Sequence, residues 1–315
     1  MSLLGIVRNP KSRRNRNRAS FDASHLAPGV VLREPATLEE LDATCREFAE
    51  RGVSVLGIDG GDGTVRDVLS AARGAFETLP AFAFVASGKT NILAANAGSW
   101  GTGAAGLEQL ASAMRDGTLG RRRQRIRTLD ITAGTSQLSG FVMGTGAYRR
   151  AVALSDQGVA NRVSLGPLRV ATGIGRGVMR LARKGERDEW LSGTPMEVYV
   201  DGHGRGIEAR PRLIFLATTL HRFTLGIWPF WNADGKPLRY LDVDAPPRRL
   251  GLALLPALRG RPTPWMKAAG YRSGSAERIS LRLSEPFILD GEAFEPGPDG
   301  KVSIGAGPAV EFLAP

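Results

Sequence analysis

An apolar run with three β-branched residues, Val53-Ser54-Val55-Leu56-Gly57-Ile58, ends in Asp59-Gly60-Gly61-Asp62-Gly63-Thr64 and passes at once into Val65-Arg66-Asp67-Val68-Leu69-Ser70-Ala71-Ala72. The first part has the composition of a buried strand and the last that of a helix. Glycines at such a junction let the backbone approach a phosphate closely. The helix start offers unpaired N–H groups and partial positive charge, so the junction is an anion site. A carboxylate repels phosphate, so Asp62 makes sense if it holds or orients a metal or takes a proton. The combination points to phosphoryl transfer from a nucleotide.

The 315 residues suffice for two hydrophobic cores, and 42% hydrophobic residues with 23% charged ones fit a globular chain. The apolar runs, such as Leu213–Ala217 and Leu250–Leu258, are too short or interrupted to span a bilayer. The N-terminus lacks the layout of a secretory signal, and Cys45 alone allows no internal disulfide, so a cytoplasmic location is expected. A net charge of +11 favours anionic partners. Arginines cluster at Arg13–Arg18, Arg121–Arg125, Arg248-Arg249 and Arg259-Gly260-Arg261. No zinc-finger spacing or RNA-binding aromatic signature accompanies them, which disfavours nucleic acid. An anionic membrane surface suits them better, with the protein held peripherally at the inner face.

Strand and helix patterns alternate through residues 1–125: Leu3–Val7, Val30–Leu32, a helix opened by the capping box Thr37-Leu38-Glu39-Glu40, Val53–Ile58, Ala81–Ala86 and a helix over Ala104–Met114. That order implies a parallel sheet with helices on both faces. Leu38, Leu41, Cys45, Phe48 and Ala49 are expected on the apolar face of the first helix. From residue 126 to 301 the rhythm is that of an antiparallel β-sandwich, with strands at Ile126–Ala133, Gln137–Gly144, Met196–Val200, Arg212–Ala217, Arg248–Leu255 and Ile279–Leu283. A helical insertion over Pro167–Arg183 interrupts it.

The strand Ala81–Val85 leads into Ala86-Ser87-Gly88-Lys89-Thr90-Asn91. This is no P-loop, because the first required glycine would stand at position 83, which is Ala83. It is still a strand, a glycine turn and a helix start, a second edge for anions, where Lys89 brings a positive charge and Thr90 a hydroxyl. Late in the chain Phe287-Ile288-Leu289 delivers Asp290-Gly291-Glu292. If the strand continues, both carboxylates share a face and can act as a base or share Mg²⁺; otherwise the segment is a solvated Asp-Gly turn. His25, His203 and His221 have no metal-site spacing, and no Gly-x-Ser-x-Gly elbow is present.

Together these segments resemble the diacylglycerol kinase catalytic-domain family, which includes bacterial lipid kinases and sphingosine kinases. Asn9-Pro10-Lys11-Ser12 looks like its early Asn-Pro-x-Ser loop, Gly60–Thr64 like its central motif, Ser87–Asn91 like its second glycine loop, and Leu289–Glu292 like its late Leu-Asp-Gly-Glu. The resemblance implies an N-terminal α/β nucleotide-binding domain over 1–125 completed by the tail 302–315, and a C-terminal antiparallel β-sandwich over 126–301 for the lipid substrate, with ATP in the cleft. It implies that Asn9, Ser12, Gly60, Gly61, Gly63, Thr64, Gly88, Lys89, Thr90 and Asn91 bind ATP. Asp290 would take the proton of a lipid hydroxyl, with Glu292 and Asp62 supporting it or Mg²⁺. Departures from the pattern are Arg13, Asp67, Ala86, Lys89 and Ile92. The aromatic patch Trp228–Trp231 and the basic stretch Gly166–Arg183 are expected to rim the lipid entrance and touch an anionic membrane. Two other readings stand beside the lipid kinase. One is a soluble NAD kinase-like enzyme, which lacks its later Thr-Gly-Ser-like loop here. The other is a non-catalytic lipid-binding protein on the same fold. The oligomeric state and the lipid phosphorylated are left open.

Overall fold

The computed structural model describes residues 3–12, 14–15, 28–88, 91–157, 190–201, 207–223 and 226–315. The chain divides into two compact units, Met1–Ile126 with Pro308–Pro315, and Arg127–Gly307.

In the first unit β1 (Leu3–Arg8), β2 (Val30–Arg33), β3 (Val53–Gly60) and β4 (Ala81–Ala86) run parallel in the order β2-β1-β3-β4. The tail returns to this sheet, where Phe312 pairs in parallel with Phe82. Strands buried on both faces explain the near-continuous apolar runs. On one face Leu4, Ile6, Val55, Ala83 and Val85 pack under Leu107, Leu110 and Ala113 of helix α4 (Gly103–Arg115). The other face is covered by α1 (Leu38–Glu50) and α2 (Asp62–Ala75), which pack on each other. Phe48 of α1 lies so close to β1 that a Cβ at Gly5 would come within 2.7 Å of its ring.

Helix α1 begins as its sequence predicts, with the Glu40 amide donating to the Thr37 hydroxyl at 3.1 Å. The Glu40 carboxylate reaches one residue further back than a capping box requires, accepting from the Ala36 amide at 2.6 Å. Leu41, Cys45 and Phe48 are buried, whereas Leu38, in the first turn, stays exposed. The short α3 (Ala94–Ala97) follows β4.

The second unit is rich in antiparallel strands. They are residues 127–133 of β5 (Arg122–Ala133), β6 (Ser136–Gly140), β7 (Val142–Gly146), β8 (Thr194–Val200), β9 (Ile207–Thr218), β10 (Leu238–Asp244), β11 (Tyr271–Ala276), β12 (Arg278–Leu283), β13 (Phe287–Leu289), β14 (Glu292–Phe294) and residues 301–307 of β15 (Lys301–Ala314). Leu129, Ile131, Met143, Val198, Phe215, Ile279, Leu281, Phe287 and Ile304 meet in one core. Among the described residues three helices complete the unit: α5 (Ala147–Gln157), α6 (Leu250–Leu258) and α7 (Pro264–Ala268). The strand expected over Arg248–Leu255 is therefore a turn followed by α6. Its sequence, rich in Leu and Ala without a β-branched residue, favours a helix once period-2 alternation is absent. The segment expected over Gln137–Gly144 is two strands broken at Phe141. The insertion Pro167–Arg183 lies outside the described residues.

Candidate functional site

In the first unit the ends of β1, β3 and β4 bring three loops together. Strand β1 lies between β2 and β3, so the strand order reverses there, and the carboxyl ends beside such a reversal are where open α/β sheets take their ligands. The floor of this region is polar. Asp59, fully buried at the end of β3, accepts from Arg8 Nε at 3.2 Å, Asn15 Nδ2 at 3.1 Å and the Ser87 hydroxyl. Burial pushes the Asp59 carboxyl above its ordinary range, and the bonds from Ser87, Arg8 and Asn15 oppose that shift. Arg8 also reaches Glu34 at 2.5 Å. The Ser87 hydroxyl accepts in turn from the Gly103 amide at 3.0 Å, tying the second glycine loop to α4.

On this floor the loops interlock. Asn9 Nδ2 donates to the Thr64 hydroxyl at 2.9 Å, and Asn9 Oδ1 accepts from the Lys11 amide at 2.9 Å. The Ser12 amide donates to the Asn9 carbonyl at 3.1 Å. The Gly61 and Gly88 backbones touch: a Cβ at Gly88 would stand 2.3 Å from Gly61 Cα, and one at Gly60 would stand 2.4 Å from Thr64 Cβ. Asn91, at φ +51°, folds its amide into its own loop, accepting from the Gly88 amide at 3.1 Å and donating to the Ala86 carbonyl at 3.2 Å. Gly61 is the N-cap of α2, and no side chain caps that helix. Asp62 and Gly63 lie in its first turn, which therefore presents N–H groups for an anion.

Asp62 turns away from that opening. Its two carboxylate oxygens accept from the Ile92 amide at 2.9 Å and the Leu93 amide at 3.0 Å, fastening the second loop to the first. Burial raises its carboxyl above the ordinary range, against the pull of the Leu93, Ile92 and Asn91 amides. Among the described residues no group of three or more His, Cys, Asp or Glu side chains is placed to hold a metal. This donor set does not fit a protein-held Mg²⁺ at Asp62. Lys89 and Thr90 lie outside the described residues.

In the second unit Asp290 and Gly291 are the two central residues of the β13–β14 hairpin, with Leu289 paired to Glu292. Their φ values of +50° and +92° are those of a type I′ turn, whose preferred sequence is Asn-Gly or Asp-Gly. The strand thus does not continue through Asp290 and Glu292, and strand alternation does not set their relation. Glu292 stands exposed on β14. Asp290 is not a solvated turn residue either. It is half-buried, and its Oδ1 accepts from the Val142 amide at 2.9 Å and the Phe141 amide at 3.2 Å, while Oδ2 accepts from Phe141 at 3.1 Å. Gly140 makes this approach possible, because a Cβ there would lie 2.4 Å from Asp290 Oδ2. The break between β6 and β7 at Phe141 supplies both amides.

Residues 4–121 match the family model of the diacylglycerol kinase catalytic domain. Over these residues, less than half of its length, the chain is similar to the diacylglycerol kinase catalytic-domain family. Solved structures extend the likeness in fold to both units. A diacylglycerol kinase from Bacillus anthracis strain Sterne is 13% identical, with a TM-score of 0.61 over 100% of this chain and 97% of that one. A second chain from the same organism, assigned to the same kinase class, is 14% identical with a TM-score of 0.64, again over 100% and 97%. No curated protein matches the chain in sequence.

Within the first unit the structure gathers Asn9, Ser12, Gly60, Gly61, Gly63, Thr64, Gly88 and Asn91 around one set of loops. Sequence reasoning missed Arg8, Asn15, Asp59 and Ser87, the polar floor beneath them. The signal was present, since an aspartate closing a largely apolar strand must find partners when buried. It missed Gly140 as well, which nothing in its local sequence distinguishes.

Proposed function

We propose that the chain is an ATP-dependent lipid kinase, working as a peripheral protein at an anionic cytoplasmic membrane surface. The observation that carries this reading is the contact of Gly61 with Gly88 beside the side-chain-free start of α2, in a unit similar to a lipid-kinase family. Two glycine backbones in contact leave a surface of main-chain atoms that any Cβ would fill, which suits phosphate oxygens. Gly60, Gly61, Gly63, Thr64 and Gly88 hold the phosphates in this reading, with Lys89 and Thr90 at the same loop. Asn9, Ser12, Asn91 and Asp62 position these loops through the contacts described above.

Phosphoryl transfer asks a protein chiefly to align the phosphates and stabilise charge. The remaining task is to take the acceptor's proton. Asp290 is assigned that role. Its carboxylate is held at a fixed place by the Phe141 and Val142 amides, so it is oriented before substrate arrives. As the lipid hydroxyl oxygen bonds to the γ-phosphorus, its proton passes to Asp290 and the bond from phosphorus to the β,γ-bridging oxygen breaks, leaving ADP. Glu292, exposed on β14, supports the acceptor side. Mg²⁺ accompanies the nucleotide as its phosphate counter-ion in this reading, without a dedicated carboxylate cage.

The test is transfer of labelled γ-phosphate from ATP to a panel of lipid alcohols in mixed micelles: diacylglycerol, a sphingoid base, ceramide and a polyprenol. Label on one lipid establishes the activity and names the acceptor. ATP binding without transfer to any lipid would replace the enzyme by a non-catalytic role.

A further inference from the structure

The aromatic patch expected at a lipid entrance is core. Phe230 and Trp231 are buried, and Trp228, Phe223 and Phe230 pack on one another in edge-to-face contacts of 4.9–5.7 Å between ring centres. The basic stretch Gly166–Arg183 lies outside the described residues. The membrane-facing surface must therefore be sought elsewhere, and what rides on this aromatic core is α6.

Helix α6 has the sequence Leu-Gly-Leu-Ala-Leu-Leu-Pro-Ala-Leu, without one polar side chain. Leu250, Ala253 and Ala257 face the aromatic cluster, with Ala253 fully buried. The opposite face carries Leu252, 69% exposed, and Leu255, 60% exposed, one turn apart. Only three large hydrophobic side chains are this open among the described residues, and two stand here. The helix is held firmly at both ends. The Tyr271 hydroxyl donates to the Arg248 carbonyl at 2.9 Å, and the Trp228 amide donates to the Leu258 carbonyl at 2.8 Å.

The charge of the flanking sequence has one sign. Arg248, Arg249, Arg259, Arg261 and Lys267 are all exposed, and no acidic residue occurs between Pro246 and Gly270. Arg249 also lies over the Trp265 ring at 5.7 Å. A second copy of the same face would meet arginines with arginines. A nucleic acid would have no use for two exposed leucines. An anionic bilayer answers both features, since its acyl boundary takes apolar side chains and its phosphates take the basic ring.

We infer that α6 is a membrane-docking element: Leu252 and Leu255 enter the headgroup boundary of an anionic bilayer, and Arg248, Arg249, Arg259 and Arg261 contact lipid phosphates. This rests on the reading of the chain as a peripheral membrane protein and assigns that role to one surface. The affinity is weak and salt-sensitive, because the element is short and its charges are exposed.

The experiment is co-sedimentation of the full chain with vesicles of phosphatidylcholine alone or with phosphatidylglycerol, at two salt concentrations, without nucleotide. The comparison is with Leu252→Asp/Leu255→Asp and, separately, Arg259→Gln/Arg261→Gln. The wild type should bind only the phosphatidylglycerol vesicles. The leucine variant should lose about tenfold or more of that binding, and each arginine about fivefold. Both variants alter exposed positions and should keep the wild-type thermal midpoint and the wild-type rate on a short-chain, water-soluble acceptor. Binding to anionic vesicles that both variants retain in full would overturn the assignment to α6 while leaving peripheral binding intact. Failure of the wild type to bind any vesicle would overturn the peripheral reading itself. A wild-type dimer that the leucine variant converts to monomer would show that a second copy covers α6, and would overturn the proposal.

Discussion

Asp290→Asn separates the chemical role of this carboxylate from its structural one. Asparagine is the right probe because Asp290 sits at φ +50°, where Ala would be strained, and because Asn-Gly is the preferred pair for a type I′ turn. The amide oxygen can replace Oδ1 and keep the bonds from the Val142 and Phe141 amides, while the contact of Phe141 with Oδ2 is lost. Exchanging a charge-assisted acceptor for a neutral one costs about 1 kcal/mol, so the midpoint should fall by only about 2–4 °C in a unit of this size. General-base catalysis contributes about 10²–10⁴-fold, or about 2.7–5.5 kcal/mol of barrier. kcat should fall by that factor while the KM for ATP is unchanged, since the nucleotide loops belong to the other unit. The readouts are labelled-phosphate transfer to the identified lipid and calorimetric unfolding of the same preparation. A kcat within threefold of wild type would refute the assignment of Asp290 as base. A midpoint drop worth several kcal/mol would refute the claim that its role is mainly chemical.

Gly88→Ala places a Cβ 2.3 Å from Gly61 Cα, so one glycine loop must move; ATP binding should weaken at least tenfold by calorimetry, with stability reduced by about 1–3 kcal/mol. Phe312→Ala, which removes a fully buried ring 5.8 Å from that of Phe82, should destabilise the first unit by about 3–5 kcal/mol in denaturant titration. Burial pushes the Cys45 thiol up to about 12, so at pH 8 its thiolate fraction should be about a thousandfold below that of a free cysteine. Its labelling by a thiol reagent should then follow unfolding of the first unit, and rapid labelling of the native protein would contradict the packing around α1.

The strand–glycine–helix junctions of the first unit were legible because local chemistry forms them: β-branched runs, glycines where backbones touch, and a capping threonine at residue 37. The second unit was less so. Long-range packing decides whether Leu250–Leu258 extends or coils, and the aromatic cluster that selects the helix is drawn from distant parts of the sequence. The same holds for the ion cluster on β9, β10 and β11. Fully buried Arg212 bonds Asp242 at 2.8 Å and Asp244 at 2.7 Å, and Arg272 joins from the neighbouring strand. No local pattern pairs those residues. At the candidate site, Asp62 shows how a motif conveys importance without conveying role. Its spacing marks it as special, and only the fold shows both oxygens holding the second loop in place.

The return of residues 308–315 to the first unit bears on how the protein comes into being. The Trp100 indole donates to the Leu313 carbonyl at 2.7 Å, and a Cβ at Gly98 would stand 2.8 Å from that of Ala314. During synthesis the parallel sheet therefore emerges early but cannot be closed until the whole second unit has followed it from the ribosome. Throughout that interval the edge of β4 and the ring of Phe82 lack their native cover, a state in which nascent chains are prone to aggregate and to recruit chaperones.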